Sequence, residues 1–154
     1  MDPFSIIVSA ITVLRSAAAI YSSQIGLHNR RRSQRKLIDD LIHLLEQLKR
    51  DLPMTDHLID TVNRVSIAGF CDEMREVWVE SVQEIQAHCV YLVQQLVSGI
   101  KSLEDRSTYS SLIHQWLQIG DPDLQNIVRI RDDIREQILF LNNAQSNLST
   151  IMGV

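Results

Sequence analysis

Proline and glycine are scarce in this chain, three and five of 154 residues, and the glycines at 26, 69, 99, 120 and 153 are each isolated. With 45% hydrophobic residues, that shortage argues against a β-rich, turn-dense or disordered chain and for one helical domain with a single sizeable core. Cysteine is nearly absent. Cys71 and Cys89 stand 18 positions apart near and along one predicted helix, roughly 27 Å at ~1.5 Å per residue. They are too distant to pair, which fits a reducing cytosol.

Catalytic signatures are missing as well. No G-x-x-x-x-G-K sequence exists, so the chain has no loop of that kind for ATP. The histidines at 28, 43, 57, 88 and 114 are scattered, and Asp40 with His43 lacks the second copy and the facing carboxylates of a helical di-metal site. His88 and Cys89 are neighbours in sequence, so on a helix they point ~100° apart and cannot act as base and nucleophile. Asp132 and Glu136 sit among Arg129, Arg131 and Arg135, which reads as a surface charge lattice. The expectation is a non-enzymatic protein with no cofactor and no metal.

What is present is concentrated at the start. From Pro3 to Leu27 the only formal charge is Arg15, and the densest basic cluster follows, with Arg30, Arg31, Arg32, Arg35 and Lys36. Outside that cluster the chain carries 10 basic residues against 19 acidic ones, a balance of −9. One short anion-seeking patch on an acidic protein does not make a nucleic-acid surface.

Asp2 and Pro3 supply an N-cap and a first-turn residue, and Gly26 a stop. These bounds predict a helix of about 23 residues, roughly 35 Å long, enough to cross a bilayer core. Phe4, Ile6, Ile7, Val8, Ile11, Leu14 and Ile20 cover most of its circumference, while Ser5, Ser9, Thr12 and Ser16 form a stripe of small residues suited to close helix packing. Asp2 in place of a basic n-region, and hydroxyls within the apolar stretch, argue against a cleaved signal peptide. Arg15 weighs against a permanent anchor, at ~2.5 to 3.5 kcal/mol in mid-membrane. Two readings stay open: a helix always buried in a bundle, and one sheltered there and released on demand. The basic cluster divides the same way, between complementing the first helix dipole and binding anionic headgroups.

Further helices are predicted over about Ser33 to Leu52, ended by Pro53; from an N-cap at Thr55 towards Ala68 and Gly69; over Asp72 to Leu103; a short one from Ser107 to Ile119; and a last one opened by Asp121 and Pro122. The expected architecture is an all-α antiparallel bundle of four long helices and one or two short ones, a single domain over residues 1–154. In it, residues 1–27 form the apolar first helix, covered by the others, and residues 28–36 a basic connector.

The opening Met1-Asp2-Pro3-Phe4-Ser5-Ile6, the small and apolar stretch through Ile20 and the leucine-rich helix from Leu37 to Leu52 resemble the N-terminal domain of fungal STAND, or NLR-type, receptors, the HeLo-like group. The likeness covers essentially the whole chain in length and helix order. It implies a cell-death or heterokaryon-incompatibility effector of innate immunity, cytoplasmic until an upstream receptor module in cis or in trans triggers homo-oligomerisation and plasma-membrane engagement. Phe4, Ile6, Ile7, Val8, Ile11, Leu14 and Ile20 would then insert, beside a headgroup patch of Arg30, Arg31, Arg32, Arg35 and Lys36. The glycine zipper of HeLo-type toxins is replaced here by serine, threonine and alanine. The alternatives are a homo-oligomerising or partner-docking signalling module that never touches lipid, and a small-molecule-binding bundle of a biosynthetic pathway.

Overall fold

The structure is a computed structural model that describes residues 2–22, 29–105 and 122–153. Four helices make up nearly all of these: α1 (Pro3–Ser22), α2 (Asn29–Arg64), α3 (Asp72–Asp105) and α4 (Pro122–Met152), with no strand among the described residues. The all-α bundle read from periodicity is the fold. The short helix expected over 107–119, and the caps at Gly26 and Asp121, lie outside the described residues.

α1 packs on α2 and α3, α4 packs on α3 and α2, and α1 and α4 scarcely touch. The first and last helices therefore flank the α2–α3 pair from opposite sides. α3 and α4 are antiparallel: a Cβ built on Gly99, late in α3, would lie 3.6 Å from Ile127 Cγ1, early in α4. At their other ends, the Trp78 indole N–H donates to the Ala144 carbonyl at 3.1 Å.

Burial follows the helical period. Leu14 of α1, Leu41, Leu45 and Leu48 of α2, Leu96 and Ile100 of α3 and Ile134 of α4 are fully buried in one core. A second, smaller core joins Val62, Phe70 and Leu148, with Leu58, Val79 and Ile151 packed on it. Among the described residues, none of α1 enters that second core.

The structure corrects the sequence reading in α2. Residues 29–64 form one helix of 36 residues with Pro53 inside it, where a stop at Leu52 and a fresh start at Thr55 are predicted. Proline forfeits one backbone bond and crowds the preceding turn. Here Pro53 faces solvent, while Leu52 and Thr55, on either side of it, are buried. The Thr55 hydroxyl donates to the Leu52 carbonyl at 2.9 Å, so it binds back into the same helix in place of capping a new one. Gln86 of α3 donates to Thr55 Oγ1 at 2.7 Å and to Asp56 Oδ1 at 2.9 Å, which fixes the lower half of α2 against α3. Tertiary packing and these side-chain bonds outweigh the local break.

Two further corrections follow. The basic stretch from Arg30 to Lys36 belongs to the first two turns of α2, not to a connector, and no acidic residue in the first turn offsets it. α1 has one face to solvent, where the expectation is a helix covered on all sides; its expected end at Gly26 lies outside the described residues. Among the described residues no helix is long and apolar enough to cross a membrane. Between α2 and α3 the chain reverses through Gly69, whose φ of +81° a side chain would strain.

Candidate functional site

Of the residues expected to act at the membrane, the seam where α1 packs on α2 and α3 buries Ile7, Ile11 and Leu14. α1 begins as expected: the Ser5 backbone N–H donates to Asp2 Oδ1 and the Ser5 hydroxyl to Asp2 Oδ2, both at 2.9 Å. Those two bonds hold the Asp2 carboxyl below its ordinary value, backbone donation contributing most.

From that cap, Ile7, Ala10, Ile11, Leu14 and Ala17 recur at three- and four-residue spacing and are buried against α2 and α3. Ile6 and Val13 border this face and are half-buried, whereas Phe4 and Val8 are exposed. The side chain of Ile20 lies outside the described residues.

Ser9, Thr12 and Ser16 occupy the opposite face and are exposed, with Ser5 half-buried above them. The Thr12 hydroxyl donates to the Val8 carbonyl at 3.0 Å and the Ser16 hydroxyl to the Thr12 carbonyl at 3.1 Å. This corrects the sequence reading of a helix-packing stripe: within the described bundle the hydroxyls meet water and their own backbone, and alanines and branched aliphatics make the seam. α1 is thus amphipathic with almost no charge on its polar side, which is why residue counting makes it look apolar all round.

The outer edge of the seam is tied by polar contacts. Arg15 donates to Glu46 Oε1 at 2.7 Å, Lys49 stands 4.0 Å from the other oxygen of Glu46, and the Lys49 ammonium lies 5.9 Å from the centre of the Phe4 ring. Arg15 is 64% exposed, and pairs that open to solvent contribute ~0 to 1 kcal/mol. Burial of Ile7, Ile11 and Leu14, at ~1.5 to 3 kcal/mol each, carries the docking. In the basic cluster, Arg35 and Lys36 are exposed and Arg35 reaches Asp39 at 4.0 Å; the side chains of Arg30, Arg31 and Arg32 lie outside the described residues.

One feature is illegible in the sequence. Between the first half of α3 and the last turns of α4 runs an open groove of about 890 Å³, with Phe70, Met74, Val77, Trp78 and Phe140 among its walls. Periodicity assigns Met74, Val77 and Trp78 to the buried face of α3, yet Val77 is 64% exposed. The only signal was the breadth of that apolar face, wider than one neighbouring helix covers.

Two titratable groups of the interior, Cys89 and Asp51, are shifted by burial. The Cys89 thiol is pushed up to about 12, by burial first and by the Asp51 charge second. Burial likewise raises the Asp51 carboxyl, opposed by Arg50, and its Oδ2 has no hydrogen-bond partner. Between the ordinary thiol value and about 12 the unfolded chain loses the Cys89 proton while the folded chain keeps it, so stability falls as pH rises through that window. Iodoacetamide at neutral pH is accordingly expected to alkylate exposed Cys71 and to spare Cys89 until denaturant is added, as mass spectrometry of the labelled peptides will read. Among the described residues no group of three or more His, Cys, Asp or Glu side chains could hold a metal ion.

No family model, curated protein or solved structure matches this chain.

Proposed function

We propose that the chain is a non-enzymatic effector domain of the kind found at the N-terminus of fungal STAND receptors, in which α1 leaves its seat on α2 and α3 to engage anionic membrane. The observation that carries this reading is the way α1 is held. It docks by a single face, is tied at the outer edge of the seam by an exposed Arg15–Glu46 contact, and none of its described side chains joins the Val62–Phe70–Leu148 core that ties α2, α3 and α4 together.

Released, α1 offers Ile7, Ile11 and Leu14 on one side and Ser9, Thr12 and Ser16 on the other. A helix of that kind lies in the lipid interface with its apolar face down and does not span the bilayer. The basic cluster at the start of α2 follows α1 closely in the chain, and each cation near an anionic surface adds ~1 kcal/mol. Departure of α1 also uncovers the apolar strip of α2 and α3 beneath it, which self-association would cover again. The domain is then cytoplasmic at rest and recruited to the plasma membrane when an upstream receptor module, in cis or in trans, promotes release.

Dye leakage from phosphatidylserine-containing vesicles tests this reading. The full chain is expected to cause leakage, and removal of residues 1–27 to abolish it. Leakage that persists after removal would assign membrane action to another part of the bundle.

A further inference from the structure

The α3–α4 groove is far from electrically neutral. Glu73 lines the groove, helical spacing places exposed Glu80 and Glu84 along the same edge of α3 as Glu73 and Val77, and exposed Glu136 stands on α4 one turn before Phe140. None of these four carboxylates makes an ion pair. The only basic residue from Asp72 to Ile100 is Arg75, ~200° round the helix from Val77 and paired with Asp72 at 3.0 Å; α4 has none from Glu136 onward. Among the described residues, an apolar floor that nothing covers is therefore edged by charge of one sign.

We infer that this groove is a docking site for an amphipathic α-helix of a partner protein, one with an apolar stripe and lysine or arginine along its flanks. Each part of the site selects against other occupants. α3 and α4 satisfy their own backbone groups, so an extended peptide finds no strand edge to pair with. A helix satisfies its backbone internally and needs only side-chain contact, which Met74, Val77, Trp78 and Phe140 supply, the methionine adapting to different shapes. Four unpaired carboxylates repel an anionic membrane and attract cationic flanks. The chain's own basic stretch, Arg30 to Lys36, contains no apolar residue to fill the floor, so a second copy does not supply the complement through it.

The probe is an 18-residue model peptide of leucine and lysine, with leucine at i, i+3, i+4 and i+7 spacing, beside a twin in which glutamate replaces every lysine. Fluorescence anisotropy with the full chain is expected to give saturable one-to-one binding of the Leu/Lys peptide and none of the Leu/Glu twin. Met74→Ser with Val77→Ser should weaken binding about tenfold through lost apolar contact, and Glu80→Lys with Glu84→Lys should do the same through charge. These four side chains are exposed, so both double variants retain the wild-type circular dichroism.

Four results would each overturn the inference. They are absence of binding by the Leu/Lys peptide, binding that the Met74 and Val77 changes leave intact, equal binding of the two peptides, and self-association of the chain that the groove variants abolish, which would make a second copy the occupant. Neither double variant touches α1, so vesicle leakage keeps its wild-type level, and failure here is distinguishable from failure of the membrane reading.

Discussion

Leu14→Asp is expected to undock α1 while leaving α2, α3 and α4 folded. Leu14 is fully buried at the centre of the α1 face, between Ile11 and Ala17. Truncating such a leucine to alanine costs ~2 to 5 kcal/mol, and a carboxylate in its place costs more because the charge has no buried partner. That is a large share of the ~5 to 15 kcal/mol that holds a domain together. If the chain folded as one indivisible unit, the loss would fall on all four helices.

The second core predicts a different outcome. Val62, Phe70 and Leu148 remain packed without α1, and Gln86 still pins the lower half of α2 to α3. Circular dichroism should therefore fall by no more than the share of the 20-residue α1, and trypsin should cut after Arg15, which the docked helix protects. Helicity that collapses throughout, or an Arg15 site that trypsin still does not reach, would argue that α1 is permanent core.

Replacing Arg30, Arg31, Arg32, Arg35 and Lys36 together by glutamine is expected to weaken anionic-vesicle binding about a thousandfold or more at low salt. Five cations at ~1 kcal/mol each amount to ~5 kcal/mol, and each ~1.4 kcal/mol is a factor of ten. The wild-type affinity should fall steeply with added salt, because exposed charges are screened within ~10 Å at 0.1 M. Folding should survive the change. The cluster opens α2, where positive charge opposes the helix dipole, and the Arg35–Asp39 contact at 4.0 Å is an exposed pair of little weight. Co-sedimentation with phosphatidylserine and with phosphatidylcholine vesicles separates the outcomes. Unchanged binding to the anionic vesicles would remove the cluster from the site.

How far the sequence revealed this molecule varied with the kind of signal. The start of α1 was legible to the residue, because Asp2, Pro3 and Ser5 make a cap through local bonds alone. The start of α3 at Asp72 was legible too, because an apolar face continuous from Met74 follows it directly. Pro53 misled because its cost is local while its compensation is not: the Thr55 hydroxyl and the Gln86 amide come into play only when α3 is in place.

The candidate site divided along the same line. Ile7, Ile11 and Leu14 were visible as apolar positions, but a stripe of small hydroxyl residues packs against a helix or faces water equally well, and only the neighbours decide. The groove escaped notice because periodicity marks Met74 and Val77 as apolar without saying whether anything covers them. What the pattern lacked was the count of helices at that end of the bundle.

Native-state hydrogen exchange tests the central claim, that α1 opens separately from the rest, most directly. The amides of Ile7, Ile11 and Leu14 should exchange through a sub-global opening, with smaller protection than those of Leu45, Leu96 and Ile134. Anionic vesicles should enlarge that gap by drawing the open state. Equal protection across all six amides, unaltered by vesicles, would mean that α1 leaves only when the whole domain unfolds, and would contradict the account.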